Sequence, residues 1–157
     1  MIIIKRGNPT EQSVADTITR VTPNLSVFPK NNSLKVMEIR AKYIIGNALF
    51  LDAESPLYTE KGNPKKTEFV LCINGYWIRI ECKSQKTNSV LIESIQFQFS
   101  YIPFMPENEY WLVVNGYLAT DYCMNLFEKE KQRYQLQNKV WIGTLNDFEV
   151  KLKTIIF

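Results

Sequence analysis

The chain contains no histidine among its 157 residues. That absence excludes Ser/His and Cys/His nucleophilic catalysis, zinc hydrolase sites built on imidazole ligands, and nucleases that use histidine. Any chemistry has to come from carboxylates, lysine, tyrosine or cysteine. Cysteine is scarce as well: Cys72, Cys82 and Cys123 are an odd set without CxxC spacing, which argues against a disulfide framework and against a structural zinc site. No apolar run could span a bilayer. The opening Met1-Ile2-Ile3-Ile4-Lys5-Arg6 lacks the longer apolar stretch of a signal peptide, so a cytoplasmic protein without a membrane partner is expected. A net charge of only +3 excludes a histone-like polyanion binder and requires that phosphate contacts be local.

What is present reads as an ordinary soluble domain. Hydrophobic residues make up 45% and charged residues 22%, a balance that argues against wholesale disorder. Residues 1–157 are expected to form a single domain, with 1–32 as an N-terminal extension of undecided structure. Within it, Ile2 to Ile4 suggest a short strand, and Thr10 followed by Glu11, Val14, Ala15 and Ile18 suggests a short helix. From Ser33, a plausible N-cap, Leu34, Met37, Ala41, Ile44 and Ile45 recur at helical spacing until Gly46, which puts Glu38 on a helix. Asp52 to Lys66 collects Pro, Gly, Asn and Lys and reads as a loop. Its Lys61, Lys65 and Lys66 either reach DNA phosphates or are simply solvated.

Further on, Val90 to Tyr101 suggests a helix ending before Pro103, Tyr110 to Val114 a buried strand, and Cys123 to Gln137 an exposed helix. Val140 to Ile142 reads as a strand, and a helix or strand follows from Asn146. No internal repeat or low-complexity tract occurs.

The clearest element is Thr67 to Lys83, where Phe69-Val70-Leu71-Cys72-Ile73 and Tyr76-Trp77-Ile78-Arg79-Ile80 flank Asn74-Gly75, a strong hairpin signal. A two-residue turn pairs Ile73 with Tyr76 and, counting outward, sets Glu68 opposite Glu81. Alternation then predicts a core face of Phe69, Leu71, Ile73, Tyr76, Ile78 and Ile80. The other, chemical face carries Glu68, Val70, Trp77, Arg79, Glu81, Lys83 and Gln85. Two carboxylates about 5 Å apart repel by roughly 3 kcal/mol at an effective dielectric of ~20. A divalent cation offsets that repulsion, and carboxylate oxygens with few other ligands suit Mg²⁺ or Mn²⁺. Lys83, on the same face, could hold a scissile phosphate or a water. On these residues alone the bland arrangement stands beside this one: an exposed sheet rim with Lys83 and Arg79 as ordinary ion-pair partners. A three-residue loop with a bulge would also move Glu68 off the face of Glu81.

Glu68-Phe69-Val70-Leu71, the turn, and Trp77-Ile78-Arg79-Ile80-Glu81-Cys82-Lys83-Ser84-Gln85 resemble the core signature of the PD-(D/E)XK nuclease superfamily, which includes restriction endonucleases and Holliday-junction resolvases. Hydrophobic residues followed by Glu-x-Lys-x-Gln are far more specific than Glu-x-Lys alone. The order of elements over roughly 33–150 is similar too, although only the hairpin is motif-grade. The resemblance implies an α/β fold with a central mixed β-sheet, flanking helices and a restriction endonuclease-like core. It further implies that Glu68, Glu81 and the Cys82 backbone carbonyl bind Mg²⁺ (or Mn²⁺), and that Lys83 orients or helps deprotonate the attacking water. Gln85 would hold a metal-bound water or the backbone, and Glu38 would add, more weakly, an acid from the first helix. The pattern departs in one respect: the first acid is Glu68 rather than Asp, with no proline directly before it, so metal spacing can differ.

The expected function is therefore a magnesium-dependent DNA endonuclease in a resolvase, repair or restriction-like role, with DNA as partner and Lys61, Lys65, Lys66 and Lys86 as phosphate contacts. The small size implies that substrate choice comes from shape, loops, a homodimer or a partner subunit. The alternative is a noncatalytic nucleic-acid-binding or assembly module retaining the nuclease fold. Tyr76, Trp77, Tyr101, Tyr110 and Trp111 could stack on bases, but packing is the commoner role of strand aromatics. Glu93, Lys129, Lys131 and Arg133 read as solvated helix charges, and Cys82 as a buried thiol.

Overall fold

The computed structural model of the chain describes residues 6–28, 48–52, 68–86, 96, 99–100, 102–105 and 107–156. Asn8 opens the first helix, α1 (Pro9–Val21), because its side chain accepts from the Thr10 and Glu11 N–H groups, which have no partner within the helix. Pro9 fits the first turn, where no N–H is required. The helix read from Thr10, Val14, Ala15 and Ile18 is therefore present, and those four residues are its buried stripe.

A six-stranded sheet follows in the order β1 (Leu25–Phe28), β2 (Ala48–Asp52), β3 (Phe69–Ile73), β4 (Tyr76–Gln85), β5 (Glu109–Gly116) and β6 (Val140–Gly143). β2, β3 and β4 pair antiparallel, whereas β1–β2, β4–β5 and β5–β6 pair parallel, so the sheet is mixed. Helices α2 (Asp121–Arg133), between β5 and β6, and α3 (Leu145–Ile156), after β6, also lie among the described residues. The segment after Asn146, open between helix and strand in the sequence, is helical, and α2 buries Cys123 and Phe127. The strand expected over Ile2 to Ile4, the helix over 33–45 and the loop over 52–66, apart from Asp52, which ends β2, lie outside the described residues, as does most of the helix expected over 90–101, although Gln96, Phe99 and Ser100 are helical.

The hairpin has the expected register, from Ile73↔Tyr76 at the turn to Phe69↔Ile80. Asn74 (φ 52°) and Gly75 (φ 80°) both adopt positive φ, as a two-residue turn matched to strand twist requires. Phe69, Leu71, Ile73, Ile78, Ile80 and Cys82 form one core with Val14, Ala15 and Ile18 of α1 and Phe148 and Leu152 of α3, whereas Tyr76, expected on this face, is exposed beside the turn. The opposite face departs from expectation. It is not an open chemical surface, because Tyr110, Leu112 and Val114 of β5 build a second core there with Phe99, Ile102, Leu118 and Phe127. Val70 and Arg79, placed on that face, are fully buried. Strands in parallel pairs need both faces covered, and the segment around Phe99 and α2 supply the second cover. Tyr110 and Trp111 are buried in packing, and all three cysteines are buried thiols outside any disulfide.

β4 and β5 run side by side to their carboxyl ends, where Gln85 pairs with Gly116. Gly116 has φ 67°, and a Cβ built there would lie 2.1 Å from the Gln85 carbonyl oxygen. Gly116→Ala is therefore expected to destabilise the fold by about 2 kcal/mol or more through overpacking and backbone strain. A urea midpoint equal to that of the unsubstituted protein would contradict this.

Candidate active site

The antiparallel ladder ends at Phe69↔Ile80, and Glu68, just outside it, interacts with the Glu81 side chain. The Cys82 N–H donates to Glu68 Oε2 at 3.0 Å, so the first acid reaches across onto the main chain beside the second. Glu81 is 3% exposed. Its Oε1 lies 3.3 Å from Lys83 Nζ, and its Oε2 is buried without a hydrogen-bond donor among the described residues. Lys83 keeps a quarter of its side chain in solvent, and β4 becomes more exposed from there towards its carboxyl end. The site is a buried acid beside a half-buried one, with the Lys83 ammonium on the solvent side.

Burial is the main electrostatic cause at both acids. It pushes the Glu68 carboxyl up to about 8, helped by the Glu81 charge and a hydrogen bond between the two side chains, while the Cys82 amide pulls the other way. Glu81 is raised by burial too, opposed by hydrogen bonding with Glu68 and by the Lys83 ammonium. Two acids in this relation hold a proton between them near neutral pH when no cation is present. The Cys82 thiol is raised well above its ordinary value by burial and by Glu68, Glu81 and Glu11, which keeps it an inert core thiol.

A pH dependence follows. Folded Glu68 holds its proton to about pH 8, whereas the unfolded chain releases it near 4.5. The folded state binds more protons between those values, so its stability is fully present below about 4.5 and declines as pH rises through about 8. Thermal melts with a chelator present check the sign; a melting temperature that rises across this window through Glu68 would contradict it.

Of the other expected site residues, Gln85 is half-buried at the end of β4 and Lys86 is exposed immediately after it. Glu38, Lys61, Lys65, Lys66 and Glu93 lie outside the described residues. Arg79 pairs with neither acid but with the buried Glu107, at 2.7 Å. The exposed-rim alternative fails for that residue and for Glu81, both of which are buried.

Two N-terminal residues not foreseen at the site come close to it. Arg6 Nη2 donates to the Glu68 carbonyl oxygen at 3.0 Å, and the Glu11 charge in the first turn of α1 raises Glu81. Asn115 Nδ2 donates to Thr10 Oγ1 at 3.3 Å, which ties the same helix start to the end of β5. The sequence offered only the helix start as a hint, since nothing local links residues 6–11 to a hairpin some sixty positions later.

Among the described residues no group of three or more His, Cys, Asp or Glu side chains is arranged for a metal ion. Two carboxyls and a main-chain oxygen nevertheless suit a hard cation that keeps several waters. The partnerless Glu81 Oε2 and the repulsion within the pair fit such an ion. Among the described residues, no helix is long and apolar enough to cross a membrane. No protein-family model, curated protein or solved structure gives a significant match to the chain.

Proposed function

We propose that this protein is a divalent-metal-dependent DNA endonuclease of the PD-(D/E)XK type, with a restriction endonuclease-like core and a resolvase, repair or restriction-like role. One observation carries the reading: Glu81 is buried beside Glu68 with an oxygen that has no hydrogen-bond donor among the described residues, while the Lys83 ammonium lies 3.3 Å from its other oxygen. A buried carboxylate beside a second, half-buried one costs stability, and such arrangements mark functional sites more often than structural ones.

In this reading Glu68, Glu81 and the Cys82 carbonyl hold Mg²⁺ or Mn²⁺. The ion supplies charge for the phosphate and a water acidic enough to attack at neutral pH. Lys83 carries three donors and needs only one for Glu81, so it can also meet a non-bridging phosphate oxygen or fix the attacking water. Gln85, two residues on along the same face, holds water or main chain at the open end of β4. The covered faces of the sheet keep bulk water from the acids, which strengthens each of these interactions. Lys86, exposed immediately after β4, would touch the DNA backbone, with Lys61, Lys65 and Lys66 as further contacts.

The second reading is a noncatalytic nucleic-acid-binding or assembly module, in which Glu68 and Glu81 share a proton permanently and the Cys82 amide completes the pair. The test incubates the purified protein with branched, single-stranded and linear duplex DNA, with Mg²⁺, Mn²⁺ or chelator. Metal-dependent cleavage that falls at least about a hundredfold in Lys83→Ala supports the endonuclease. Cleavage indifferent to that substitution marks a contaminant, and no cleavage of any substrate favours the second reading.

A further inference from the structure

Glu68 lies just outside the hairpin ladder, whose outermost pair is Phe69 and Ile80. Strand pairing alone therefore does not fix where its carboxyl points. Two contacts from different parts of the chain do so. The Cys82 N–H holds Oε2 at 3.0 Å, and Arg6 Nη2 holds the Glu68 main-chain carbonyl at 3.0 Å across 62 positions of sequence.

Arg6 is itself held in place. Its guanidinium lies 4.9 Å from the centre of the neighbouring Phe69 ring, and its main-chain N–H donates to Gln12 Oε1 at 2.7 Å. Gln12 belongs to α1, whose buried stripe is locked into the first core. A continuous path thus runs from the core through α1 and Arg6 to the first acid. The bond goes to a carbonyl and the stacking to a ring, which suits a planar guanidinium better than an ammonium of equal charge.

We propose that Arg6 is a positioning residue for the acid pair: it holds the main chain at Glu68 so that the carboxyl stays on the Cys82 amide and faces Glu81. The inference rests on the reading of Glu68 as a metal ligand, and it assigns the segment before α1 a part in the site. Arg6 touches neither substrate nor ion in this role.

The experiment uses the full chain carrying Arg6→Met, which keeps an apolar stem over Phe69 but removes the donors, and Arg6→Lys, which keeps the charge. In the metal-free protein, the Cys82 amide is followed by its proton shift and by hydrogen exchange, against the Leu71 and Cys72 amides deeper in the hairpin. Mn²⁺ affinity is then measured by calorimetric titration. In Arg6→Met, Cys82 is expected to lose about tenfold in protection, the equivalent of one net hydrogen bond, with Leu71 and Cys72 unchanged. The Mn²⁺ dissociation constant should rise about tenfold, as for other partners that orient a metal ligand. Arg6→Lys should fall between the two proteins. An unmoved Cys82 amide, or an equal loss of protection at all three amides, would overturn the positioning role. Failure of the unsubstituted protein to bind Mn²⁺ would instead overturn the ion-site reading, and the Cys82 amide would still decide the role of Arg6.

Discussion

Glu81→Gln is expected to abolish DNA cleavage while making the metal-free protein more stable at neutral and alkaline pH. Glu81 is buried, one of its oxygens has no donor among the described residues, and both burial and the Glu11 charge oppose its ionisation. A neutral amide of the same shape relieves that penalty and the repulsion of Glu68. The same change removes an ionised oxygen from the cation and a partner from Lys83. Loss of one group acting on the transition state costs about 10²–10³ in rate, and loss of the ion as well should take activity below detection. Opposite movement of rate and stability is the signature of a site kept at the expense of the fold. Single-turnover cleavage and chelator-treated thermal melts check the two halves. A variant that is inactive but less stable than its parent would mean that Glu81 is structural, and one that still cleaves at the parental rate would remove it from the chemistry.

The largest loss of stability is expected at Arg79. This side chain is fully buried on the face it shares with Glu81, and its Nη2 meets the buried Glu107 Oε1 at 2.7 Å. Arg79→Met leaves the Glu107 carboxylate without its guanidinium in a dry environment, which costs about 3–5 kcal/mol. For a domain of this size that is about 10 °C in melting temperature. Replacing both partners, as in Arg79→Met with Glu107→Leu, should recover most of the loss, because apolar groups of matching volume carry no desolvation cost. A double variant as unstable as the single one would show that the pair contributes more than mutual neutralisation. Glu107 lies just before β5 and Arg79 within β4, so the ion pair pins the loop entering β5 to the strand that carries Glu81 and Lys83.

The hairpin was legible because its determinants are local. Asn74-Gly75 supplies two residues that tolerate positive φ, and the turn length fixes the register as far as Phe69↔Ile80, one place short of Glu68 and Glu81. Alternation likewise assigned Ile78, Ile80 and Cys82 to one core. It could not say whether the opposite face is covered, since a period of two is the same in either case, and Val70 and Arg79 were taken for surface. The partner of Arg79 is 28 residues away in sequence, and no local pattern marks Glu107 for it. Strands β1 and β2, four and five residues long, carry too few positions for periodicity to separate strand from buried helix. The approach of Arg6 and Glu11 to the acids is a product of tertiary packing, in which α1 is drawn in by Val14, Ala15 and Ile18.

The decisive measurement is the anomalous difference density of crystals grown or soaked with Mn²⁺. The account predicts one strong peak between the Glu68 and Glu81 carboxyls, within about 2.0–2.3 Å of an oxygen from each, and its loss in Glu81→Gln. Well-diffracting crystals at saturating Mn²⁺ with no peak there, or with the two carboxyls still hydrogen-bonded to each other, would contradict it.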